Sequence, residues 1–281
     1  MSKIIFTCKT VTPLVMNGAD GFNVELRPPG IKASLRFWWR ALHGHLPIEQ
    51  LRTQEAAIFG STKGRSKVLI RTNTGIDESN KKRISLLPHK GGSEACSYIA
   101  GQDFKIRLDF DEKVISKEKL KYLFILACTL GGWGKRSRRG FGSVTVTEID
   151  DVPFISPIDL DGILKCINTI VPNMFKIQNG AIIPTNISSN QYPYILEIKI
   201  GTSTKSLIQI GQATHDVKLI VDNSVNKRDY NNSIGAGSPR FASPVYVSIL
   251  SNGVPVITTL KKESLVRTVL QNSLKSKILS P

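Results

Sequence analysis

Ser116 to Ile149 reads SKEKLKYLFILACTLGGWGKRSRRGFGSVTVTEI, and this one stretch carries a helix, a loop and a strand in sequence. Ser116 is placed to cap a helix whose Leu120, Leu123, Phe124, Ala127 and Leu130 recur at helical spacing. Val144, Val146 and Ile149 belong to a β-branched run that reads as a strand. Between them, residues 131–143 place five glycines around Lys135, Arg136, Arg138 and Arg139. Glycine permits positive φ and close backbone approach, and guanidinium forks suit phosphate oxygens. The loop is therefore expected to hold a polyanion.

Working outward, Lys3–Lys9 alternates apolar and polar residues as a first strand, and Ser66–Thr72 as a second. Phe104, Ile106, Leu108 and Phe110 alternate with charged residues as a third. A helical pattern covers Ile31–Gly44, and a shorter one Glu49–Phe59. Pro28-Pro29-Gly30 is read as an extended approach to the first helix. Residues 73–100 are polar and lysine-rich without a period, an excursion with a short strand at Ile84–Leu87.

The resulting order, β-α-β-β-α-β, is that of a ferredoxin-like unit, the architecture of the RRM module. Asp151–Gly162 reads as a joint. Beyond it come a helix (Leu160–Ile170), a strand (Tyr194–Ile200), a mixed segment (Ser203–Val221), a hairpin around Ser251-Asn252-Gly253 and a final helix from Lys262. The expectation is an α+β fold of two ferredoxin-like lobes with antiparallel sheets, residues 1–150 and a less regular 151–281.

Composition narrows the partners. The 281 residues hold 38 Lys and Arg against 22 Asp and Glu, a formal charge of +16. Such a field attracts nucleic acid. Mean hydropathy is −0.07, and the run Tyr122–Cys128 falls far short of the ~20 residues a membrane span needs. The start MSKIIFTCKT lacks a signal-peptide core, so a cytoplasmic location without membrane contact is expected. Cys8, Cys96, Cys128 and Cys166 have no paired spacing, which argues against zinc knuckles and disulfides. No metal or cofactor is expected.

On the first helix, Ile31, Leu35, Trp38 and Leu42 share one face, and Lys32, Arg36, Arg40 and His43 form a second stripe about 120° away. Like charges at i and i+4 repel, so an anion is expected between them. His43 is also a candidate general acid or base, because imidazole titrates near neutrality. Gly134-Lys135 is followed by Arg136, which rules out a Walker A loop. Phe22 and Trp133 are candidates either to stack on bases or to pack beneath the loops.

Five segments, TPLVMNGAD (12–20), ELRPPGIKASLRFWWRAL (25–42), IFGS (58–61), GGWGKRSRRGFGS and RFASP (240–244), resemble the RAMP superfamily. Within it, the resemblance is to the first-numbered subunits of Cmr (type III-B) CRISPR effector complexes. It covers residues 1–150, with RFASP beyond. Asn17 and Ala33 stand where glycines are usual, and Trp133 where an aliphatic residue is usual. The resemblance implies a subunit in antiviral defence that binds the crRNA 3′-end region or target RNA beside other Cmr subunits, with no catalytic residue of its own. The expected RNA-binding set is Asn17, Gly18, Arg27, Lys32, Arg36, Arg40, Lys135, Arg136, Arg138, Arg139 and Arg240, converging on one groove. The rival readings are a metal-independent endoribonuclease using His43 and a ribonucleoprotein scaffold subunit.

Overall fold

A computed structural model describes residues 1–18, 20, 22–73, 78–186, 192–219, 231, 233–235, 241–261 and 268–281. The first lobe comprises β1 (Ser2–Thr10), α1 (Pro28–Leu42), α2 (Ile48–Phe59) and β2 (Val68–Asn73). A hairpin of β3 (Lys81–Ser85) and β4 (Glu94–Tyr98) follows, then β5 (Asp103–Phe110), α3 (Lys117–Thr129), β6 (Val144–Ile149) and the short β7 (Val152–Pro153). The sheet order β2-β5-β1-β6-β7, antiparallel throughout, is the ferredoxin-like arrangement with β7 added at one edge.

Register explains which face is buried. Ile4, Phe6 and Cys8 lie opposite Leu108, Ile106 and Phe104, and the period of two puts all six on one face. That face packs on α1 and α3, and Phe6 stacks on Phe124 at 4.0 Å. The opposite face sets Lys3 against Asp109, Thr7 against Lys105 and Lys9 against Asp103. Lys9 pairs with Asp103 at 3.6 Å, Lys105 with Asp151 at 2.7 Å, and Arg71 with Asp109 at 3.1 Å. The central strands show that face no aromatic ring, so it lacks the stacking platform of an RRM sheet.

Three local expectations change. Pro28 and Pro29 are the first two residues of α1 rather than an extended approach. Proline fits there because the first helical N–H groups have no partner to lose. The excursion over 73–100 holds a regular hairpin, 81–85 with 94–98, while residues 74–77 lie outside the described residues. Tyr98 fixes the hairpin by exchanging backbone hydrogen bonds with Leu14 and donating its hydroxyl to the Val24 carbonyl at 3.0 Å. Ser116 does cap α3, its Oγ accepting from the Lys119 N–H at 3.3 Å.

The second lobe comprises α4 (Leu160–Ile170), β8 (Phe175–Gln178), β9 (Ala181–Pro184), β10 (Ile195–Ile200), α5 (Leu207–Leu219), β11 (Val245–Ile249), β12 (Pro255–Leu260) and α6 (Thr268–Leu279). Its antiparallel sheet runs β11-β12-β10-β9-β8. From β10 to α6 the elements follow the ferredoxin-like order. The place beside β10, normally held by a last strand, is taken by β9, which precedes β10. The β8–β9 hairpin turns at Asn179-Gly180 with φ of 51° and 68°, the signature of a tight two-residue turn. The mixed segment is largely α5, and the final helix is described from Thr268 onward.

Both lobes contribute to one apolar core, into which α3 and α4 pack, while α5 and α6 enclose a second against β11 and β12. Cys8, Cys128 and Cys166 are buried free thiols. No helix among the described residues is long and apolar enough to cross a membrane.

Candidate nucleic-acid interface

The glycine loop lies between α3 and β6 and touches both lobes. Its glycines serve approach of the chain to itself rather than to a ligand. Gly134, at φ +84°, leaves no room for a Cβ against the Val15 carbonyl, which accepts from the Lys135 N–H at 2.7 Å. Gly142, at φ +65°, is pressed equally hard against the Trp133 carbonyl. The Trp133 N–H donates to Gly142 O at 2.9 Å, closing the loop on itself. Trp133 is 2% exposed and lies between Phe104 and Phe124, so it is core rather than a base platform.

The loop cations divide. Arg139 is 7% exposed and faces the second lobe. Its Nη2 donates to Ile234 O at 2.6 Å and Ser243 Oγ at 3.1 Å, and its Nη1 to Val245 O at 3.0 Å. Arg138 donates to Ser243 O at 2.6 Å and lies over the Tyr246 ring at 4.5 Å. Two backbone hydrogen bonds between Arg138–Gly140 and Val247 complete the seam. Arg138 and Arg139, expected to grip phosphate, instead fasten the loop to the second lobe, because the carbonyls of Ile234, Ser243 and Val245 converge on their guanidinium groups. Arg136 is half-buried at φ +61°, and burial lowers its pKa. Lys135 is exposed.

The α1 stripe does receive its anion, and the anion is internal. Arg36 Nε and Arg40 Nη1 each stand 2.6 Å from Oε1 of Glu55, a buried carboxylate on α2. Arg40 also lies 5.6 Å from the Tyr192 ring centroid. Burial, and then Arg36, lower the pKa of Lys32. His43 is buried, stacked on Trp39 at 4.0 Å, with Nδ1 2.7 Å from Trp39 O. Burial pushes its pKa down to about 4, so it is neutral at pH 7. It opens onto a separate cavity of about 330 Å³ with Trp39, Lys119 and Ile170.

A larger cleft of about 680 Å³ lies where α1, the 15–17 segment and the first half of the glycine loop meet. Asn17, Arg27 and Lys135 of the expected set line it, with Ser34, Phe37, Trp38 and Tyr246. Lys32, Arg36, Arg40, Arg138 and Arg139 are not among its lining residues, so the stripe and the arginine turn do not form one groove. Gly18 flanks it, its N–H donating to Asn23 O at 2.7 Å. Asn17 Nδ2 donates to Phe22 O at 3.0 Å, and Phe22 is 80% exposed. Arg27 pairs with exposed Glu25 at 3.1 Å. Burial pushes the Tyr246 phenol up to about 12 against the pull of Arg138. Arg240 lies outside the described residues.

Sequence reasoning missed Ser34, Phe37 and Tyr246. The first two had a signal, since Gly30, Ser34 and Phe37 fall within about 60° on one helix face. Tyr246 had none, being one residue of an apolar strand. Among the described residues, no cluster of three or more His, Cys, Asp or Glu is arranged to hold a metal ion.

The sequence pattern of the RAMP superfamily matches residues 7–145. The chain is 27% identical over 188 residues to the CRISPR system Cmr subunit Cmr1-2 of Pyrococcus furiosus, covering 54% of this chain and 99% of that protein. It is 33% identical over 143 residues to Cmr1-1 of the same organism, covering 44% of this chain but only 41% of that one. The crystal structure of apo Cmr1 from P. furiosus superimposes with a TM-score of 0.66 at 19% identity, over 99% of this chain and 97% of that one. A chain in the cryo-EM structure of a type III-B Cmr-beta complex, bound to cognate target RNA and AMPPnP, gives 0.61 at 12% identity, over 98% of each. At those identities the structures establish a shared fold. With the sequence matches, they show a chain that resembles the RAMP superfamily over residues 7–145 and shares the Cmr1 fold along its length.

Proposed function

We propose that this chain is an RNA-binding subunit of a type III-B CRISPR effector complex, holding the crRNA 3′-end region or target RNA and cutting neither. The carrying observation is the 680 Å³ cleft, which brings Asn17, Arg27 and Lys135 to one opening of a chain with a charge of +16. The Cmr1 relatives and the RNA-bound Cmr-beta fold neighbour support the assignment to such a complex. The cations offered to RNA are Arg27, Lys32, Lys135 and Arg136. About four neutralised phosphates on a single strand give log K against log[salt] a slope near −3. Filter binding of labelled single-stranded RNA by the purified chain tests this, and a salt-independent affinity overturns it.

The ribonuclease reading loses its support at His43. A neutral imidazole bonded to Trp39 O is a poor proton donor at pH 7, and it lies away from the cleft. Incubating repeat RNA with the chain in EDTA should leave the RNA intact. Cleavage abolished by His43→Ala would restore that reading.

A further inference from the structure

We propose that the cleft receives one unstacked nucleobase against Phe37, while Arg27 and Lys135 hold the phosphates on either side of it. The inference rests on the RNA-binding reading and adds what the site recognises.

The cleft is built in two zones. Its cations stand at the opening, on exposed positions, whereas its interior is aromatic. A site for phosphate alone would turn its cations inward. Phe37 is the aromatic of this interior that remains half-exposed, since Trp38, Trp133 and Tyr246 are each at least nine-tenths buried. Its ring is held rigidly, 5.2 Å from Trp38 edge-on and 5.2 Å from Tyr246. Tyr246 is in turn pinned by Arg138, which Ser243 O anchors. A platform fixed in this way loses little side-chain freedom when a base stacks on it.

The space fits one nucleotide, and small-ligand sites run from roughly 300 to 1,000 Å³. The wall supplies Ser34 and Ser137 as hydroxyl partners. The open face of the first sheet, where an RRM stacks its bases, has no aromatic on its central strands. Base recognition therefore falls to the cleft.

The test compares a short single-stranded RNA with the same ribose-phosphate strand lacking every base, bound to the full chain by fluorescence anisotropy. Wild type should prefer the base-bearing strand. Phe37→Leu keeps the apolar volume but removes the π face, and should cut that preference by about 10- to 100-fold while leaving the salt slope unchanged. Phe37→Tyr should retain it. Thermal unfolding of both variants should stay cooperative, with Phe37→Leu only modestly lowered by the lost ring contacts, which separates stacking from folding. Equal affinity of wild type for the two strands, or an undiminished preference in a folded Phe37→Leu, overturns the base site and leaves RNA binding standing. Failure of wild type to bind either strand overturns both.

Discussion

Lys135 and Arg139 sit four residues apart in one loop, carry the same charge, and go to opposite destinations. Lys135 reaches the opening of the cleft, while Arg139 is buried against carbonyls of Ile234 and Val245. The same division runs through α1, where Ser34 and Phe37 face the cleft and Arg36 and Arg40 close on Glu55. A charge of +16 thus overstates the field that a ligand meets. Part of it is consumed in holding the two lobes together. Inward cations should govern stability, and outward ones should govern binding.

Arg139→Ala gives the sharpest break. It takes the donor from the buried Ile234 carbonyl and removes the guanidinium that ties Ser243 and Val245 to the loop, a loss of about 3–5 kcal/mol by analogy with breaking a buried charged network. Thermal unfolding should drop steeply or the chain should fail to fold, and Arg139→Lys should not rescue it, because an ammonium cannot span the fork. A fully stable Arg139→Ala that loses only RNA affinity would move Arg139 to the binding side.

His43 comes next. Its pKa of about 4 in the fold lies below the ordinary 6.5, so the unfolded chain binds the extra proton first. Its contribution is complete above about pH 6.5 and is lost as pH falls toward 4, about 3 kcal/mol at most. Denaturant titrations at several pH values should show that decline, and His43→Gln should flatten it. An unchanged pH slope in His43→Gln would remove His43 as its source.

A smaller effect is expected from Glu55→Gln. Arg36 and Arg40 are partly exposed, so the variant should lose about 2 kcal/mol rather than the full cost of a dry pair. RNA affinity should stay within about twofold of wild type. If the freed arginines instead raise affinity strongly, the α1 stripe belongs to the RNA site.

The elements legible in the sequence were those whose period survives in isolation: β1, β5, α3 and the β11–β12 hairpin. The β8–β9 hairpin was missed, although Asn179-Gly180 is a turn pair that signals it. The β3–β4 hairpin was not readable, since its burial depends on Tyr98 meeting Leu14 and Val24 far away in sequence. In the site, Asn17, Arg27 and Lys135, expected to bind RNA, line the cleft. Arg138 and Arg139 were misread because their partners are backbone carbonyls about a hundred residues downstream, which leave no side-chain pattern. Glu55 did leave a trace: it falls between Leu51 and Ile58 on the buried face of α2, an acid where an apolar residue belongs.

The most direct test of the division is the salt dependence of RNA binding in an Arg27→Ala/Lys135→Ala double variant. Both side chains are exposed, so unfolding should be unchanged, while the slope of log K against log[salt] should become shallower by about 1.4, roughly 0.7 for each lost phosphate contact. A double variant with the wild-type slope and affinity would place the RNA elsewhere on the molecule.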